Sequence, residues 1–309
     1  MRIARVCLQN WKNFTCLDVS MTDRTFLVGP NASGKSNFLD AIRFMMDVVR
    51  PGGGLERALQ TRGGLSRLRS LAARRNPKVQ MEFHLEDVDG PPWVYSLSLR
   101  HEGRGLHRPL VATERVTRDG TVLVDRPDDE DFFGFHFLER IAVPQLTNLT
   151  DTRDDRGVPH LQALYEHWRP NAGKQQEDQF SDGTIRLTGL PWMILESNTV
   201  LLLEEPELSL HPAIVRRLPS LFHRLVSRKK QKQRTQVIVS THSLDLPADP
   251  GIGGEEILLF RPYGEGTSVE TASERAEIRA LLEEGVAAAE AVLPYTEPDL
   301  IEKLNRFPQ

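Results

Sequence analysis

Gly29-Pro30-Asn31-Ala32-Ser33-Gly34-Lys35-Ser36 follows the run Thr25-Phe26-Leu27-Val28, and behind it Phe38, Ile42, Met45 and Val49 recur at helical spacing. The octet fits GxxxxGK[ST] and stands in the context that gives the pattern physical meaning, a buried strand ahead and an amphipathic helix behind. Glycines let the backbone wrap a phosphate chain with its N–H groups, and the helix N-terminus adds a favourable dipole. Lys35 then reaches the β- and γ-phosphates, and the Ser36 hydroxyl ligates Mg²⁺. A fortuitous match is rare, and the strand-then-helix setting makes it rarer. Asn31, Ala32, Ser33, Gly34, Lys35, Ser36 and Asn37 are therefore the candidate nucleotide-binding residues.

Two more strand ends carry chemistry. The run Thr199 to Leu203 has the continuous apolar character of a strand buried on both faces of a parallel sheet, and it leads straight into Glu204-Glu205-Pro206-Glu207. Carboxylates at that end of a strand lie where open α/β sheets bind ligands, and burying them idle costs on the order of several kcal/mol apiece. They need a counter-ion. Glu204 is assigned to the water shell of Mg²⁺ and Glu205 to polarising the attacking water. The competing reading, exposed acids capping the next helix, weighs more on Glu207, which lies beyond the proline. Ser240-Thr241-His242-Ser243 follows a third buried run, Thr235 to Ser240. A lone histidine is more often structural, but this setting makes His242 a candidate donor to the γ-phosphate.

Outward from these sites the chain reads as an ordinary folded protein. Its 309 residues are 39% hydrophobic and 27% charged, which excludes collagen-like and wholly disordered classes. No apolar run approaches the roughly 18 to 20 residues of a membrane span, so a cytoplasmic location without membrane partners is expected. Cys7 and Cys16 read as reduced, semi-apolar side chains with no zinc-site spacing. Strands are expected at Ile3 to Leu8, Val79 to Leu85, Trp93 to Leu99, Leu110 to Arg118 and Thr121 to Val124, the last two a hairpin on Asp119-Gly120. Leu138 to Val143 is a further strand candidate. Leu161 to Trp168, Pro212 to Val226 and Ser273 to Val292 read as helices, and another starts near Gly183. Net charge is −4, yet Arg62 to Lys78 holds six basic residues and Arg216 to Arg234 eight, with no acid in either. Both stretches are candidates for DNA contact, although solvated surface explains them equally well.

Taken together, GPNASGKS, LLLEEPELSLHP and STHS resemble the ABC-type ATPase heads of the RecF, SMC and OLD group, most closely its stand-alone ATPases. The turn in Leu8-Gln9-Asn10-Trp11-Lys12-Asn13-Phe14 is similar to that group's N-terminal turn. The resemblance implies an α/β P-loop fold with a mixed central sheet, an antiparallel β section and no long coiled coil. It implies a single head over 1–309, with one lobe from 1–144 and 199–309 and a helical signature lobe at about 145–198. ATP is the implied nucleotide, Lys12 and Asn13 match the adenine-side turn, and Gln145 matches the lobe-linking glutamine that touches Mg²⁺. Phe180-Ser181-Asp182-Gly183 occupies the place of the signature segment, so Ser181 and Gly183 take the role of contacting ATP bound by a second copy. Asp182 stands where transporter signatures have glycine, a departure that argues against a transport motor.

The resemblance thus implies an ATP-dependent homodimer in which Lys35, Glu205 and His242 carry hydrolysis. Genome maintenance or anti-phage defence through a separate effector protein is one reading. A regulator of a protein partner without DNA binding is another, and a transporter subunit is the third.

Overall fold

The computed structural model describes residues 1–49, 54–73, 78–87, 90–102, 109–126, 146–153, 159–165, 175–176, 182–197, 199–227 and 235–296. The hairpin β1 (Arg2–Trp11) and β2 (Phe14–Ser20) leads into β3 (Arg24–Val28) and helix α1 (Lys35–Val49). Short helices α2 (Leu55–Gln60) and α3 (Leu65–Leu68) precede β4 (Val79–Glu86), β5 (Trp93–His101), β6 (Pro109–Arg118) and β7 (Thr121–Arg126). Then come β8 (Leu146–Arg153), β9 (Pro159–Tyr165), β10 (Gln175–Gln176), α4 (Asp182–Glu196) and β11 (Val200–Glu204). Helices α5 (Pro212–Val215) and α6 (Leu218–Ser227) precede β12 (Gln236–Thr241). The hairpin β13 (Ile257–Tyr263) and β14 (Gly266–Thr271) and helices α7 (Ala276–Glu283) and α8 (Ala288–Val292) follow.

The central sheet has the order β11-β12-β3-β13-β14, parallel except for β14. Its inner strands β12, β3 and the first half of β13 are buried on both faces, which explains their apolar runs. Leu27, Ile238, Leu258 and Phe260 face one core, shared with Phe38, Leu39, Ile42 and Phe44 of α1. Val6, Leu8, Met81, Phe83 and Leu97 complete that core from a second sheet, the antiparallel β2-β1-β4-β5-β6-β7. The alternate residues Phe26, Val28, Val237, Val239, Ile257 and Leu259 face the opposite core, against α4, α6, α7 and α8. Helix α1 is thus clamped between two sheets, and its N-terminus is fixed where the central strands end.

Most expected strands appear. Asp119 and Gly120 both have positive φ, 50° and 73°, as a two-residue type I′ hairpin turn demands. Three helix expectations need correction. Leu161 to Trp168 is not helical as far as it is described, because Pro159–Tyr165 is β9, paired antiparallel with β8. Its three-and-four apolar spacing is overridden by non-local pairing, so within 145–198 the signature helix α4 is joined by a three-stranded sheet rather than by further described helix. Pro212 to Val226 is two helices, since Pro219 in the first turn of α6 has no N–H to continue α5. The closing helix is likewise divided, by Gly285 at φ 85°. Leu138 to Val143 lies outside the described residues.

One buried amide ties the two sheets together. Gln236 at the start of β12 accepts from the Ile3 backbone N–H at 2.8 Å and donates to the carbonyls of Ile3 and Thr22 at 2.8 Å each. Gln236→Ala strands these buried backbone groups, and a loss of about 3 kcal/mol of stability in urea denaturation is expected.

Candidate functional site

Parallel register brings three strand ends to one edge. Glu204 lies across from Ser240, and Thr241 across from Val28, whose strand runs directly into the loop 29–34. That loop is shaped by close approach. A Cβ on Gly29 would sit 2.3 Å from the Phe260 carbonyl oxygen, and one on Gly34, at φ +100°, would sit 2.1 Å from Asn13 Nδ2. Ala32 accepts the left-handed region, at φ 61°, without being glycine. Lys35 Nζ curls back to donate to the carbonyls of Gly29, at 2.6 Å, and Pro30, at 2.9 Å. The lysine is only 6% exposed. Burial pulls its pKa below the ordinary lysine value, while the fields of Glu205 and Glu207 act the other way. Asn31, Ala32 and Ser36 are exposed, and Ser33 is buried with no hydrogen-bond partner for its hydroxyl among the described residues.

Asn13 supports the loop from below. It accepts from Asn37 Nδ2 at 2.7 Å and donates to Thr267 Oγ1 at 2.5 Å, and Thr267 donates in turn to the Ser33 carbonyl at 2.9 Å. Trp11 Nε1 donates to the Asn37 carbonyl at 2.9 Å. Lys12, at φ 47°, pairs with Asp40 at 2.7 Å, and Asp40 also pairs with Arg62 at 2.9 Å. Trp11, Asp40 and Thr267 carry no local signal of this role in the sequence. Thr267 is separated from Ser33 by more than two hundred positions, and only folding joins them.

Each acid has a partner. Glu204 meets Arg43 at 3.1 Å, and Glu205, at φ 47°, meets His242 Nδ1 at 3.1 Å. The Glu205 N–H donates to the Ser240 carbonyl at 2.9 Å, locking the end of β11 to β12. Glu207 is no exposed cap. It is 7% exposed, accepts from the Thr241 hydroxyl, and has a second oxygen without a partner among the described residues. Gly183, in the first turn of α4, packs against the turn after β11, where a Cβ would stand 2.7 Å from the Ser209 carbonyl oxygen. Ser181 and Gln145 lie outside the described residues.

The basic stretches are divided. Arg62 is turned inward at 11% side-chain exposure, bridging Asp40 and Asp47, so it is unavailable to an outside anion. Arg67, Arg69 and Lys78 are exposed, whereas Arg74 and Arg75 lie outside the described residues. In the second stretch Arg216 pairs with Asp245 at 2.7 Å, Arg217 and Arg224 are exposed, and 228–234 lie outside the described residues. Away from the strand ends, Cys7, Glu82 and His84 bring their ligand atoms within 4.8 Å of one another. They are already engaged. His84 bonds Glu82 at 2.8 Å, and the Cys7 thiol, pushed up to about 11 chiefly by burial, bonds Asp18.

A P-loop at the edge of a parallel sheet, with acids and a histidine at the adjoining strand ends and an antiparallel sheet across α1, gives the chain the P-loop fold that SMC heads also have. The chain belongs to the family described as "AAA domain, putative AbiEii toxin, Type IV TA system", whose model matches residues 24–143 and 123–248. An SMC head bound to the C-winged helix domain of ScpA shares the fold at 14% identity and a TM-score of 0.57, over 87% of this chain and 97% of that one. The Smc head domain with an extended coiled coil, bound to the C-terminal domain of ScpA and derived from Pyrococcus furiosus, aligns at 12% identity and a TM-score of 0.56, over 92% and 99%. RecF bound to ATP overlaps 39% of this chain and 28% of its own, at 17% identity and a TM-score of 0.27. No curated protein matches the chain. Helices α1 and α4, at 15 residues, are the longest described, and no described helix is long and apolar enough to cross a membrane.

Gly34→Ala and Gly64→Ala both force alanine to positive φ, but Gly64 faces open space. Gly34→Ala is expected to cost about 2 kcal/mol more, read as a lower melting temperature in calorimetry, because Asn13 must move with it.

Proposed function

We propose that the chain hydrolyses ATP and dimerises around it, and so switches a separate effector protein in genome maintenance or anti-phage defence. The observation that carries this reading is the meeting of the buried Lys35 with the Glu205–His242 pair at one edge of the sheet. The residues fit a triphosphate. Gly29 and Gly34 leave no room for side chains, Lys35 offers a buried ammonium, and the Ser33 hydroxyl has no partner among the described residues. Ser36 and Glu204 are hard oxygen donors suited to Mg²⁺, with Gln145 as the third candidate. When bound, Mg²⁺ supplies neutralisation of charge on the phosphates.

The chain's own residues do the rest. Lys35 exchanges its loop carbonyls for phosphate oxygens, and Glu205 takes the proton of the attacking water. His242 holds Glu205 through Nδ1, so a neutral ring presents Nε2 as an acceptor. Donation to a phosphate oxygen therefore requires the ring to leave Glu205 or to gain a proton. Leaving frees the carboxylate for water at the moment the phosphate arrives. Ser181 and Gly183 of a second copy would close over the same phosphates. The γ-phosphate then bonds both copies, and its loss opens the interface. The ScpA fragments seated on the two SMC heads are a precedent for a protein partner of this fold. A regulator without DNA binding is favoured by one observation, the inward-turned Arg62. The family description, with its toxin and TA system, supports the defence arm.

Glu205→Gln with ATP and Mg²⁺ is expected to accumulate as a dimer in light scattering, with turnover reduced at least about 100-fold. A monomer under saturating ATP would overturn the dimer switch. Duplex DNA affinity that falls steeply with salt, and weakens on neutralising Arg228, Lys229 and Lys230, supports DNA contact. Salt-insensitive or absent binding leaves the protein-partner reading.

A further inference from the structure

The outer face of the antiparallel sheet carries a row of side chains that the nucleotide site does not use. Asp18, Cys7, Glu82 and Ser96 are direct cross-strand partners on β2, β1, β4 and β5, so all four point the same way. Val6, Leu8, Met81 and Phe83, which flank Cys7 and Glu82 along their strands, point into the core and leave the row on the opposite face. His84 joins it two positions beyond Glu82 on β4.

Three kinds of donor converge there. One sulfur, one ring nitrogen and one carboxylate oxygen, from Cys7, His84 and Glu82, lie within 4.8 Å of one another. What engages them belongs to the same face. His84 Nε2 meets Glu82 Oε1 at 2.8 Å, the other Glu82 oxygen accepts from the Ser96 hydroxyl at 2.8 Å, and the Cys7 thiol donates to Asp18 at 3.4 Å. Arg5 balances Asp18, donating to it from Nε at 2.6 Å. Glu82, by contrast, hydrogen-bonds no lysine or arginine among the described residues. A half-exposed strand face is ordinarily filled by β-branched and aromatic residues, and a thiol set between two acids gives the sheet little.

We propose that Cys7, Glu82 and His84 bind a zinc ion, at a site separate from the Mg²⁺ proposed for the strand ends. Magnesium asks for a shell of oxygens, whereas thiolate, imidazole and carboxylate together suit tetrahedral zinc. Three protein ligands leave the fourth position to water. At zinc bond lengths the ligand atoms must stand about 3.3 to 3.8 Å apart, so the His84–Glu82 pair opens slightly and the widest separation closes by roughly 1 Å, within reach of side-chain rotation. The thiol proton leaves to solvent on binding. Arg5, by neutralising Asp18, keeps the thiolate from facing a bare carboxylate, and Ser96 fixes the orientation of the Glu82 carboxylate. No spacing in the sequence announces this set, because its members come from β1 and β4, far apart along the chain and joined by antiparallel register.

The test titrates Zn²⁺ into the full chain after EDTA treatment and removal of the chelator, with Co²⁺ as a coloured probe. The parent is expected to bind one Zn²⁺ with a Kd at or below about 1 μM, and Co²⁺ should give a thiolate-to-metal charge-transfer band. Cys7→Ser and His84→Ala should each weaken Zn²⁺ binding at least about 100-fold, and Cys7→Ser should abolish the band. Cys16→Ser removes the other of the two cysteines and should bind like the parent. Melting curves in EDTA check that each variant folds. Where Cys7→Ser does not fold, Glu82→Gln, of the same shape, takes its place and should show the same loss. Zn²⁺ binding that stays at the parent level in any of the three ligand variants overturns the proposal. So does a parent without the cobalt band, or a loss in Cys16→Ser as large as in Cys7→Ser.

Discussion

A buried ammonium is the constraint around which the site is arranged. Lys35 is 6% exposed, and taking its charge out of water is costly unless fixed acceptors replace the lost hydration. The carbonyls of Gly29 and Pro30 do so, and they can converge only because the loop turns sharply between β3 and α1. The turn in turn needs the backbone of β13 at van der Waals distance from Gly29 and the amide of Asn13 beneath Gly34. The lysine thus couples the P-loop to the N-terminal hairpin and to the C-terminal hairpin at once.

Those couplings are long in sequence and short in space. Gln236 binds the first strand of the chain to the strand that precedes His242, and Thr267 binds the C-terminal hairpin to Ser33. Helix α1 fills the gap between the sheets, with Trp11 tilted on Phe44 and Phe38 edge-on to Phe260, at centroid distances of 5.3 and 5.8 Å. Cooperative packing of this kind holds the loop by contacts that no nucleotide needs to supply. The cradle is therefore built into the fold.

What was legible in the sequence was the set of features whose cause is local. The P-loop octet, the apolar runs before Glu204 and before His242, and the Asp119-Gly120 turn each carry their reason within a few residues, and the structure places all of them as read. What escaped reading depends on distant partners. Leu161 to Trp168 reads as a helix, yet pairing with Leu146–Arg153 decides in favour of strand for the part that is described. For Glu207, beyond the proline, the exposed-cap reading weighed more than for its neighbours, but the turn folds it under Thr241. Arg62 looked like part of a basic surface, and only the fold reveals Asp40 and Asp47 around it. Charge counted along the chain cannot say which way a side chain points.

The acids at the sheet edge illustrate how such a cluster is made tolerable. Glu204, Glu205 and Glu207 lie within four positions, and three carboxylates so close would repel one another if each were left to solvent alone. Each instead leans on a different element: Glu204 on Arg43 of α1, Glu205 on His242 after β12, and Glu207 on Thr241 within β12. The grip differs in kind. A guanidinium is a fixed charge and a hydroxyl carries none, whereas an imidazole can present either ring nitrogen as donor or acceptor. Of the three acids, only Glu205 leans on an imidazole, the arrangement that supports the proposal that it activates the attacking water.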